Sequence, residues 1–116
     1  MLSSQTTNFS ASAETYGLII HTTIGISYDV PNTQVHELLI KAARMTEGVL
    51  PDRDPFVLDK KFEDLYQQYE INAYIKDINV ISKIYSRLHH NIQNVFIEAG
   101  IELQTPLVVS ETKSGK

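Results

Sequence analysis

Four histidines, a handful of loop carboxylates, one glycine in a β-prone run and two tyrosines near it are the residues here whose types could do chemistry. His89 and His90 are neighbours, so on a helix their side chains point about 100° apart and cannot chelate one ion together. His36 falls in a different helical stretch and His21 in a strand, with no H-x-x-x-H or H-E-x-x-H spacing anywhere. All four are expected to be structural. Asp52, Asp54, Glu63 and Asp64 lack the D-x-D-x-D-G spacing of a calcium loop and read as solvated turns. Glu98 sits at a helix end, where a carboxylate is slightly unfavourable against the dipole. Gly25 marks a bulge or a close approach of another chain, with local packing as the default, and one glycine cradles no phosphate. Tyr66 and Tyr74 share an open sheet face, as base-stacking aromatics do in RNA-recognition modules. Gln68, Glu70 and Asn72 surround them in place of Lys or Arg, so no nucleic-acid partner is expected. With no nucleophile–base pair and no ligand set, the expectation is a protein that is not an enzyme and has no metal or cofactor.

The elements that would position these residues follow from periodicity. Leu18 to Pro31 is the longest β-prone run. Ile20, Thr22, Ile24, Ile26 and Tyr28 share its buried face, and Ile19, His21, Thr23, Gly25 and Ser27 the other. Pro31 ends it, and Asn32 or Thr33 caps a helix to about Met45 with Val35, Leu38, Leu39 and Ala42 as its apolar stripe. Gly48 breaks that helix, and VLPDRDP is a loop. Phe56 to Phe62 is a strand with Phe56, Leu58 and Phe62 on one side, interrupted by Lys60 as at an edge. Glu63-Asp64 turns the chain into a strand from Leu65 to Ile75. There Tyr69, Ile71, Ala73 and Ile75 point in, and Tyr66, Gln68, Glu70, Asn72 and Tyr74 point out.

A second helix starts from Asp77 or Asn79, with Ile81, Ile84, Tyr85, Leu88, Ile92, Val95, Phe96 and Ala99 on one stripe and Gly100 at C′. Ile101 to Leu103 closes as a short strand before Pro106. The order strand, helix, strand, strand, helix, strand predicts an α+β, ferredoxin-like βαββαβ sandwich, with both helices on one face of a four-stranded antiparallel sheet. Its outward face is expected to be polar and solvated.

With 116 residues, the chain is long enough for one core and too short for two. A net charge of −4, spread without blocks, argues against a polyanionic partner. The absence of cysteine excludes disulfides and thiolate metal sites. No apolar run approaches the roughly 18 residues of a membrane span, and the first residues are not a secretory signal. Residues 1–16, rich in Ser, Thr, Asn, Gln and Ala, read by composition as a leader without a fold, and the TKSGK end as frayed.

Several passages, in order, resemble the C-terminal domain of the small-conductance mechanosensitive channel (MscS) family. Ile24-Gly25-Ile26-Ser27-Tyr28-Asp29 resembles its strand-to-turn passage, and Asp54-Pro55-Phe56-Val57-Leu58 its P-x-P-F-V passage. Tyr69-Glu70-Ile71-Asn72-Ala73-Tyr74 is similar to a YELNAY strand, and Phe96 to Leu103 to a helix end written F-x-E-A-G-I-E-I. Asn8-Phe9-Ser10 resembles the close of the family's middle β domain, so the resemblance covers the stretch from about residue 8 to 109.

The resemblance implies residues 1–16 as linker and remnant of the preceding β domain, 17–104 as the ferredoxin-like domain and 105–116 as a tail. It marks Gly25, Tyr28, Asp29, Pro55, Phe56, Ala99 and Gly100 as structural motif positions, and Leu107, Val108 and Val109 as inter-subunit contacts. It further implies a homo-oligomer, heptameric in the full-length channel, on the cytoplasmic side of the inner membrane. Its copies would wall a vestibule with solute portals and attach through membrane helices absent from this chain. On this reading the chain is a soluble piece of a longer protein, with Met1 as an added start. The alternative expectation is a free-standing ferredoxin-like regulatory domain that binds a small molecule at a dimer seam.

Overall fold

The computed structural model describes residues 18–109. The expectations for residues 1–16 and for the end of the tail lie outside that range. Strand β1 (Leu18–Ser27) leads to helix α1 (Asn32–Met45), strands β2 (Phe56–Phe62) and β3 (Tyr66–Ile75), and helix α2 (Ile81–Glu98). The framework is α+β, with two helices and a three-stranded antiparallel sheet ordered β2-β3-β1.

β1 and β3 pair over their full lengths, from Leu18 opposite Ile75 to Ser27 opposite Tyr66. That register puts Ile20, Ile24, Ile26, Tyr69, Ile71, Ala73 and Ile75 on one face, all buried. Both helices lie against this face. Val35, Leu39, Ala42 and Ala43 of α1 and Ile84, Tyr85, Leu88, Ile92, Val95 and Phe96 of α2 close a single core. A 3.6-residue stripe and a period-2 face can bury each other only in this layered way.

The helix ends differ in detail from expectation. Pro31, not Asn32 or Thr33, is the N-cap of α1, its carbonyl accepting from the amides of Gln34 and Val35. Asp77 does cap, but it caps a 3₁₀ turn (Ile78–Val80) that feeds α2, its Oδ1 accepting from the Asn79 amide at 3.0 Å. Gly100 (φ +75°) is the C′ residue of a Schellman ending, with its amide on the Ile97 carbonyl and the Ile101 amide on that of Phe96. Ala99, expected on the apolar stripe, is the exposed C-cap beyond the last helical turn. Gly48 has φ +105°, and a Cβ there would meet the Ile84 side chain at 2.7 Å.

Three further expectations are corrected. Tyr28 does not extend the buried face of β1, because the strand stops at Ser27, whose carbonyl accepts from the Val30 amide in a tight turn. Phe56, Leu58 and Phe62 do not share a face. Phe56 and Leu58 oppose the outward-facing Asn72 and Glu70, whereas an extra residue between Asp59 and Phe62 swings Phe62 opposite the inward-facing Gln67. Ile101–Leu103 is not a strand: Leu103 makes one antiparallel bridge to Ile26. Gln104 and Thr105 then occupy the backbone groups of Gly25, and Pro106 has no amide to continue a ladder. Among the described residues that follow, Val108–Val109 alone pair again with β1, opposite Thr23 and Thr22.

Candidate functional site

Gly25 is where the motif residues and the C-terminal segment meet. Its amide donates to Thr105 Oγ1 at 2.9 Å, and its carbonyl accepts from the Gln104 amide at 2.8 Å. The Tyr66 ring lies directly over it, so a Cβ here would stand 2.6 Å from Tyr66 Cδ1 and 2.8 Å from Thr105 Cγ2. The close contacts at this glycine are therefore local packing, made by the chain's own Tyr66 ring and return segment, and not by another chain.

One turn later, Tyr28 stacks on Phe62 with ring centroids 6.3 Å apart, and its hydroxyl donates to the Glu63 carbonyl. Asp29 is exposed, with its amide on Ser27 Oγ. These bonds tie the β1–α1 turn to the β2–β3 hairpin. Pro55 is buried at the entry to β2, beside Arg44, Val49, Leu50 and Pro51. Phe56, next to it, leans on Tyr74 with centroids 6.3 Å apart, and the Arg53 guanidinium lies 4.2 Å from the Tyr74 ring centre.

The outward sheet face is not simply solvated, which corrects the expectation. Glu70 and Asn72 are buried there, and His21 Nδ1 lies 3.0 Å from Glu70 Oε2. Asn72 Nδ2 donates to the Glu70 carbonyl, and Lys60 Nζ lies 4.0 Å from Glu70 Oε1. Ile19, Phe56 and Leu58 stand exposed around this polar centre. The alternation of polar and apolar residues in β3 holds no sign of it, because the apolar neighbours come from β1 and β2.

The histidines are separated by the fold. His36 Nε2 on α1 bonds Asp59 Oδ1 on β2 at 2.7 Å, while His89 Nε2 on α2 meets Thr22 Oγ1 at 3.0 Å. Burial pushes the His89 imidazole below its ordinary pKa. Tyr85 Oη accepts from the His21 amide at the edge of β1. Burial, followed by the charge of Asp59 and then Tyr28, raises the Tyr69 phenol, which donates to Asn32 Oδ1 at 2.7 Å. Among the described residues no group of three or more His, Asp or Glu is placed to hold a metal ion. The arrangement supplies packing, edge pairing and helix anchoring.

Ala99 and Gly100 end α2, and Ile101 and Leu103 line a groove with Gln93, Phe96, Ile97 and Glu102. Leu107 is half-buried against the core, and the backbone of Val108 and Val109 lies along β1.

This βαββα frame, with a chain end strapped to the free edge of its first strand, agrees with a family comparison. Residues 20–103 match the family described as Mechanosensitive ion channel MscS, C-terminal. The chain belongs to that family. Among solved structures, the cryo-EM structure of wild-type AtMSL1 is similar, with TM-score 0.53 and 15% identity over 76% of this chain and 32% of that one. At that identity the likeness speaks for the fold alone, and the present chain spans about a third of the solved one. A C-terminal segment of the alpha subunit of aIF2 from Pyrococcus abyssi aligns at TM-score 0.45 and 19% identity, over 83% of this chain and 52% of that one. That likeness is too low to carry an argument. No curated protein matches the chain. No helix among the described residues is long and apolar enough to cross a membrane.

Proposed function

We propose that this chain is the cytosolic assembly and vestibule domain of a mechanosensitive channel. Copies pack side by side on the cytoplasmic side of the inner membrane, as a heptamer in the full-length channel, held by membrane helices outside this chain. Their walls and the gaps between them set the charge and width of the solute path, with no bond chemistry and no cofactor. The observation that carries this reading is the family match, which runs through every full strand and both helices. Large apolar side chains left exposed outside the core support it, since they are candidates for burial by a neighbour.

Within this reading, residues 17–104 are the ferredoxin-like domain. Residues 1–16 link to a preceding β domain, and 105–116 form the tail. Gly25, Tyr28, Asp29, Pro55, Phe56, Ala99 and Gly100 hold the architecture. Val108 and Val109, paired with β1 on one side, turn their other edge with Leu107 toward a neighbouring copy.

The test is a fusion. Placed behind the membrane helices of a channel of this family, in place of the resident C-terminal domain, the chain is expected to restore a homo-oligomer by native mass spectrometry. Tension-gated current in patch recordings is expected to return with it. A fusion that folds yet stays monomeric would sink the proposal.

A further inference from the structure

The outward sheet face carries an apolar rim around a polar centre. Ile19 stands opposite Tyr74, Phe56 opposite Asn72, and Leu58 opposite Glu70. Ile19, Phe56 and Leu58 are exposed at 45%, 36% and 44%, while both helices lie on the inward face. At the centre, the Glu70 carboxylate has His21 Nδ1, Asn72 Nδ2 and Lys60 Nζ at 3.0, 3.5 and 4.0 Å. An ionised carboxylate accepts about four bonds, so there is room for a further donor. Such a face suits a segment that mixes aromatic rings with hydroxyl groups and brings no block of charge. The chain enters β1 at Leu18, beside this face, with residues 1–17 ahead of it. The inward face is closed to them by the helices. The free edge of β1 is taken as well, the His21 amide by Tyr85 Oη at 3.2 Å and Thr22 and Thr23 by Val109 and Val108. The outward face is what is left.

We propose that residues 9–17 double back over the outward sheet face, seating Tyr16 on Ile19 and Tyr74 and Phe9 on Phe56 and Leu58. Phe9 and Tyr16 are the two aromatics of residues 1–17, and only Ser, Ala, Thr and one Glu lie between them. Small side chains let a backbone lie close on a sheet, and the hydroxyls of Ser10, Ser12 and Thr15 can donate to Glu70. The reach is sufficient. Leu58 lies four residues along and two strands over from Ile19, roughly 16 Å at ordinary strand spacings. The seven steps from Tyr16 to Phe9 cover about 10 Å coiled and about 24 Å extended, which brackets that distance. The occupant is tethered, so its effective concentration at the face is far above that of any free partner. The inference needs only this chain and stands apart from the channel reading.

The chain has no cysteine, so single reporters can be placed in its full length. Leu58→Cys reports on the outward face, and Ile97→Cys, an exposed position of α2, on the rest of the surface. Each is alkylated with iodoacetamide under native conditions, with and without the pair Phe9→Ser and Tyr16→Ser, over a wide range of protein concentration. The expected result is alkylation of Leu58→Cys about fivefold faster once the pair is changed, at every concentration, with Ile97→Cys unaffected. Equal rates at Leu58→Cys with and without the pair overturn the proposal. Protection that falls away on dilution overturns it too, since a second copy is then the occupant. So does a rise at both reporters, because the segment would then support the whole fold and not cover one face. Each of these failures leaves the channel reading standing.

Discussion

His89 shows how a single burial event becomes a pH dependence. Its imidazole is held below the ordinary value of 6.5 because burial penalises the charged form. As pH falls below about 6.5, the unfolded chain binds a proton that the folded chain still refuses, so stability is whole above that pH and declines toward the lowered folded value. Thermal melts from pH 8 to pH 5 are expected to show this decline, with a shallower slope in His89→Gln. Equal slopes would mean that His89 titrates freely. Gln67 presents the opposite situation. It is buried at 3% exposure, and its Nε2 has no hydrogen-bond partner among the described residues, a deficit that costs about 1–3 kcal/mol. Gln67→Met is therefore expected to hold or raise the urea-unfolding free energy by about 1 kcal/mol. A loss of similar size would show that the amide is satisfied. Neither effect is legible in the sequence. The spacing of His89 says only that it is structural, and Gln67 looks like one more position of β3 until Ile26 and Phe62 close around it.

At the scale of elements, the two glycines of positive φ make different demands. Gly100 needs only its left-handed backbone, with nothing within 4 Å of the place a Cβ would take, whereas Gly48 needs the backbone and the space that Ile84 fills. Gly100→Ala is expected to cost about 1 kcal/mol in denaturant unfolding. Gly48→Ala is expected to cost roughly 2–4 kcal/mol, because strain and overpacking add. Equal costs would show that Ile84 moves aside freely. The Gly100 stop of α2 is visible in the sequence, since Gly after an apolar stripe is a local signal, whereas α1 already ends at the extended Thr46, two residues before Gly48. The bulge in β2 is not visible there. Its alternation points Phe56, Leu58 and Phe62 one way, yet the extra residue after Asp59 turns Phe62 over. That residue count belongs to the pairing with β3 and cannot be read from β2 by itself.

For the whole molecule, the segment after Leu103 behaves as a strap on an already closed core. Ending the chain at Leu103 removes the Thr105 hydroxyl from the Gly25 amide and the Val108–Val109 pairing from β1. The shortened chain is expected to fold, melt several degrees lower and exchange the Gly25 amide at least about tenfold faster by hydrogen exchange. Complete loss of structure would show instead that the strap is part of the core. The sequence anticipated the order and type of five elements, the single core, both helix stripes and the family, because these depend on local periodicity and on residues close together in the chain. It missed the unformed strand at Ile101–Leu103, the buried Glu70–Asn72 centre and the turned-over Phe62. Those arise where strands distant in sequence are set side by side, and register, burial and edge are properties of the pair. One residue slipped between β1 and β3 would leave every local pattern intact and reverse every face.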